Sequence, residues 1–163
     1  MDPQDTLQTF AEVSVALAGF IGITAAFRRR ESTWSAQDIS SVRFVLEVSF
    51  AALFLSALPA LLVNLSLPAP LAWQVAGLLM SASLLALYVV QTRRRARLER
   101  EHGDQRSLAA RPYLLTLYLV ITIGIAMCSV LDIVVPGAYL VGVSMLLVSA
   151  AIEFLAFVAG LQD

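Results

Sequence analysis

The sequence predicts an all-α integral membrane protein: a bundle of five transmembrane helices, with helices two and three extended into the cytoplasm. Three observations predict it. Of the 163 residues, 59% are hydrophobic and 14% charged, and the mean hydropathy is +0.80. A soluble domain averages about 45–50% apolar and about 25% charged. Five predominantly apolar runs each reach the length of about 20 residues that a hydrocarbon core demands. All eleven basic residues are Arg, and they fall in two stretches between these runs. One domain over residues 1–163 is expected, with no internal repeat. A single Cys excludes a disulfide scaffold, and a net charge of −1 gives no global field for nucleic acid.

The first span covers about residues 7–27. The stretch before it, Met1 to Asp5, is acidic and lacks the positive n-region of a secretory signal. The helix is therefore expected to stay in the mature chain. The second span covers 44–65. Ser35-Ala36-Gln37-Asp38 has capping-box spacing with Asp in place of Glu, which starts this helix near Ala36. Pro59 is expected to kink it. Residues 48–92 hold no charge at all, so two helices and a turn must fit there, and Asn64, Pro68 and Pro70 mark the turn. The third span covers 71–92 and runs on as helix through Arg93 to Glu101, with Gly103 as its stop. After a polar link, Pro112 suits the first turn of the fourth span, 113–135. Pro136-Gly137 reads as a tight turn before the fifth span, 138–161. Trp73, Tyr113 and Tyr139 fall near interfaces, where amphipathic rings settle.

Arginine fixes the expected orientation. Arg28, Arg29, Arg30 and Arg43 lie between spans one and two. Arg93, Arg94, Arg95, Arg97, Arg100, Arg106 and Arg111 lie between spans three and four. Positive segments stay in the cytoplasm, so the N-terminus is expected outside and the C-terminus inside. The exclusive use of Arg and the missing signal fit a bacterial inner membrane. Arg93, Arg94, Arg95 and Arg97 would also meet anionic lipid. Interleaved Glu99, Glu101 and Asp104 and the lack of stacking aromatics argue against nucleic acid.

Contacts between helices in lipid show as small residues. Helix one carries them on two stripes: Ala11, Ser14, Ala18, Gly22, Ala25, and Glu12, Ala16, Gly19, Ile23, Ala26. Such a helix is expected either at the centre of the bundle or nearest the axis of an oligomer. Helix five offers Gly142, Leu146, Ser149, Glu153, Ala156 and Gly160. Helix four offers Thr122, Ser129 and Asp132, while helix three is polar only through Ser81 and Ser83.

Ionisable groups inside spans are costly and tend to mark function. Glu12 reads as an acidic ring at a pore mouth, or more plainly as an acid reaching the headgroups. Glu47 follows Arg43 by one turn; it reads as a structural ion pair or as part of a relay. Glu153 lies about 13 Å from the inner end of helix five by helical rise. It reads as a buried acid paired with Arg43, or as a proton- or cation-handling group. Asp132 reads as a solvated end residue. Enzyme chemistry is not expected. His102 is the sole His and Cys128 the sole Cys, so no metal set, nucleophilic triad or haem site can be built, and no cofactor is expected.

The functional expectation is a homo-oligomeric, cation-conducting channel with helix one central. Glu12 would stand at the outer mouth and Arg28, Arg29 and Arg30 at the inner one, with Glu47 and Glu153 as further ion- or proton-handling groups. The alternative is a non-catalytic accessory, scaffold or sensor subunit packing on a protein partner; a proton-coupled carrier is weaker. Reporter fusions at the two termini should report opposite compartments, and signals from the same compartment would overturn the five-span alternation.

Overall fold

An apolar run has no solvent for its N–H and C=O groups, so it closes its own bonds from residue i to i−4. The computed structural model describes residues 2–28, 36–102, 111–131 and 135–159; the side chains of 28, 36–37, 94–102, 111–119 and 130 are not described. These residues form five helices: α1 (Pro3–Arg28), α2 (Ala36–Asn64), α3 (Ala69–His102), α4 (Arg111–Leu131) and α5 (Val135–Ala159). Among the described residues there is no strand. Four helices are long and apolar enough to cross a membrane, over Pro3–Phe27, Asp38–Asn64, Ala69–Arg93 and Val135–Ala159. In α4 the apolar segment with described side chains, Val120–Ser129, is shorter.

The helix ends follow local chemistry. α2 begins at Ala36 and runs unbroken through Pro59 to Asn64. Its last turn closes by Leu65 N–H donating to Leu61 O and Ser66 N–H donating to Val63 O. Ser66 takes a left-handed φ of 69°, a position that favours glycine. Pro68 C=O accepts from Ala72 N–H, and Pro70 sits in the first turn of α3, where its missing N–H costs nothing. α3 continues through the arginine run to His102. One turn is displaced from the expectation. Pro136 and Gly137 are helical, inside the first turn of α5, and α4 ends at Leu131. The Pro-Gly pair reads as a break in the sequence, but a helix tolerates Pro in its first turn because those N–H groups have no partner to lose.

The chain packs as two compact units. One holds residues 1–66 and 143–163; the other holds 67–142. In the first, α1 packs on α2. The link between them, residues 29–35, reaches at most about 30 Å, while α1 is about 39 Å long. Packing along their length is therefore antiparallel. The buried residues of α1 are Leu7, Ser14 and Ile21, one every seventh residue. That interval is the narrow seam of a helix pair, with period 3.5. The rest of α1 is exposed or half-buried, so in the single chain it is not the enclosed helix at the bundle centre. Its small residues mark where another helix could approach closely, and nothing in their pattern names which one. The deeply buried helix of this unit is α2, through Val45, Val48, Ser49, Ala52, Leu55, Ser56 and Pro59. α5 buries Val143, Leu146, Ala150 and Phe157, whereas Ala156 is exposed.

In the second unit the start of α3 meets the end of α4. A Cβ on Gly77 would collide with Ser129 Oγ and lie 3.1 Å from Ser129 Cβ. That hydroxyl cannot swing away freely, because it donates to Ile125 O at 2.8 Å. Gly142 of α5 lies against Ile125 and Met80, and Trp73 meets Tyr139 edge to face at 5.8 Å. By contrast, a Cβ on Gly19 or Gly22 of α1 would meet nothing within 4 Å.

Gly77→Ala should cost about 1–3 kcal/mol by overpacking, read as a lowered melting temperature in detergent. Gly142→Ala should cost less, because the nearest atom, Ile125 Cδ1, ends a flexible side chain. Parent-like melting of Gly77→Ala would refute the close approach.

Candidate functional site

Two sets of polar side chains stand out in the first unit. The first is on α1. By helical rotation, Asp5, Gln8, Glu12, Ala16, Gly19, Ile23 and Ala26 lie on the side turned away from the Leu7–Ser14–Ile21 seam, and all seven are exposed. The line is polar at the N-terminal end and small below it. Gln8 Nε2 donates to Glu12 Oε1 over a long 3.4 Å. Exposed Val13, Phe20 and Phe27 form a bulky flank beside this line.

The second set joins the start of α2 to the last turns of α5. Ser41 Oγ donates to Glu153 Oε1 at 2.8 Å. Arg43 Nε donates to Glu47 Oε1, also at 2.8 Å, one turn apart on α2. The Arg43 side chain is 65% exposed and that of Glu47 29%, so the chain leaves most of this pair uncovered. Glu153 lies on the same side of α5 as Leu146, Ala150 and Phe157 by helical rotation, and it is half-buried.

The Ser41 contact relates Glu153 to the start of α2. Its partner Ser41 precedes Phe44, where the apolar span of α2 was expected to begin, and neighbours Asp38, Ser40 and Arg43 on a polar stretch. α5 continues through Ala159, about 9 Å beyond Glu153. The contact sets the acid at the level of the arginine-bearing end of α2, with a hydroxyl as one partner.

The structure brings Glu153, Ser41, Arg43 and Glu47 to one end of the unit. Glu12 lies far along α1 from the 29–35 link, away from that cluster. Arg93 is exposed. Arg29, Arg30 and Asp132 lie outside the described residues, as do the side chains of Arg28, Arg94, Arg95 and Arg97. Cys128 is a half-buried free thiol on α4. Among the described residues no three His, Cys, Asp or Glu side chains are placed to hold a metal ion.

Sequence reading missed Ser41, Ser49 and Ser56. All three lie on the buried stripe of α2, and the oxygens of Ser49 and Ser56 are shielded without a hydrogen-bond partner. The signal was there: the stripe recurs at intervals of three and four residues, and the serines fall on it. The attention given to charge passed over hydroxyls. Compared with known protein families, curated proteins and solved structures, the chain matches none.

Ser41→Ala leaves a half-buried carboxylate short of a donor and should cost about 1–2 kcal/mol. Glu47→Gln should cost under about 0.5 kcal/mol, because its partner is mostly uncovered. Melting curves of the two variants should separate in that order; equal curves would show that the Ser41–Glu153 contact has no structural weight.

Proposed function

We propose that the chain is a homo-oligomeric, channel-like protein of a bacterial inner membrane that conducts cations along α1. In this reading the chain crosses the bilayer five times, with its N-terminus outside and its C-terminus cytoplasmic. The observation that carries the proposal is the exposed line Asp5, Gln8, Glu12, Ala16, Gly19, Ile23, Ala26, on the side of α1 that its own chain leaves uncovered.

The physical argument runs from packing to charge. Gly in a helix interior costs about 1 kcal/mol relative to Ala, and facing lipid it gains no contact in return. Small residues become favourable when another helix approaches closely. Gly19 and Gly22 have that space free, and Ala16 and Ala26 flank them. Several copies arranged with this side inward would set Phe20 and Phe27 at the flank of the line, between neighbouring copies. The same arrangement gathers one Glu12 per copy near the outer mouth. A ring of carboxylates raises the local cation concentration. Arg28, Arg29 and Arg30 follow at the other end of α1 in the sequence and would restrain passage there. The Arg43–Glu47 pair and the Ser41–Glu153 contact lie off this line and hold α2 and α5.

Mass photometry of the purified protein should show one oligomer larger than the chain. Gly19→Leu should dissociate it while leaving the melting temperature of the protomer near that of the parent, since Gly19 touches nothing within it. Phe20→Leu should leave the oligomer intact. In liposomes, Glu12→Gln should lower cation flux by about tenfold or more. A monomeric parent would overturn the proposal. An oligomer that survives Gly19→Leu would remove α1 from the axis. Assembly only with a different protein would favour the accessory-subunit reading.

A further inference from the structure

A serine in a helix has a standard outlet for its hydroxyl, the carbonyl one turn back. In this chain Ser14 donates to Phe10 O, Thr24 to Phe20 O, Ser81 to Gly77 O, Ser83 to Leu79 O and Ser129 to Ile125 O, all at 2.7–2.9 Å. Ser49 and Ser56 depart from the pattern. They are 1% and 5% exposed, and neither oxygen has a partner. Neither hydroxyl bonds the local carbonyl that satisfies its counterparts.

Their placement is regular. They are seven residues apart on α2, about 10.5 Å along the axis. They share the buried stripe with Val45, Ala52 and Pro59, and with Ser41, which holds the Glu153 carboxylate. Between them stands Ala52, the smallest side chain of the stripe. An unpaired buried hydroxyl costs about 1–3 kcal/mol, and α2 carries two where an alanine or a rotated serine would avoid the cost. An internal water supplies the missing partner, and buried waters sit where unsatisfied polar groups recur.

We propose that Ser49 and Ser56 are two separate water-binding sites on the buried stripe of α2, each hydroxyl holding one internal water within a single protomer. Water is the ligand, and each site supplies the hydrogen-bond partner that the helix itself does not give these two hydroxyls. This does not depend on oligomerisation or on a role for α1.

Radiolytic hydroxyl-radical labelling of the unmodified protein in nanodiscs tests it, because side chains beside bound water are oxidised fastest. Leu55 adjoins Ser56, and Leu84 on α3 is the same side chain, also buried at 1% against 5% exposed. Leu55 and Val48 should be labelled several-fold faster than Leu84; equal rates would overturn the proposal. A second measurement uses silver ion on Ser49→Cys and Ser56→Cys in a Cys128→Ser background. Both thiols should react several-fold faster than that of Ala76→Cys, a fully buried position on α3. Reaction no faster than at Ala76→Cys would overturn it. If the cysteine variants do not fold, the labelling of the unmodified protein decides alone.

Discussion

A polar side chain on an apolar helix must find its hydrogen-bond partner within the protein, and most of this chain's interior is arranged around that constraint. The cheapest answer is local. Ser14, Ser81 and Ser129 return their hydroxyls to their own helix, which lets each stand on a buried seam without disturbing its neighbours. The next answer is a partner on another helix, and Ser41 provides one for Glu153. Arg43 and Glu47 use a third: they pair along one helix turn on a largely uncovered side of α2. Ser49 and Ser56 use none of the three within the chain, which is why they invite a ligand as small as water.

Packing obeys the same economy of shape. The α1–α2 seam is built from one buried residue in seven on α1, so it fixes the pairing while leaving most of the helix uncovered. In the second unit, Gly77 and Gly142 stand where another side chain already occupies the space a Cβ would need. There the absence of a side chain is used inside the chain. On α1 it is not. Gly124 of α4 is also open, but it is surrounded by exposed Val120, Ile123 and Met127, a surface that suits lipid. Gly19 and Gly22 come with Ala16 and Ala26 and form a continuous narrow surface instead.

Much of the helical layout was legible because length and polarity act locally. The start of α2 at Ala36, the turn around Pro68 and the run of α3 through its arginines all follow from caps, prolines and helix formers. The errors have physical causes. Pro136-Gly137 reads as a turn because Pro breaks a helix interior, yet it stands in a first turn, where it breaks nothing. The small residues of α1 reported that close approach is possible and could not report the partner. A sequence read for charge also passes over serine, whose hydroxyl matters only once burial is known.

These features separate two kinds of polarity that the sequence shows side by side. Glu12 and its neighbours lie on a surface that no other described helix of the chain covers, so their role depends on what covers α1. Ser41, Glu153, Ser49 and Ser56 lie on surfaces that the chain itself has closed, or half closed, so their chemistry is complete in one copy. The first set can act only through assembly; the second acts whatever the assembly is. A substitution on α1 that alters conduction without altering protomer stability therefore speaks to the axis. A substitution on the α2 stripe must perturb the protomer first, because there is no way to reach those hydroxyls except through its packed interior.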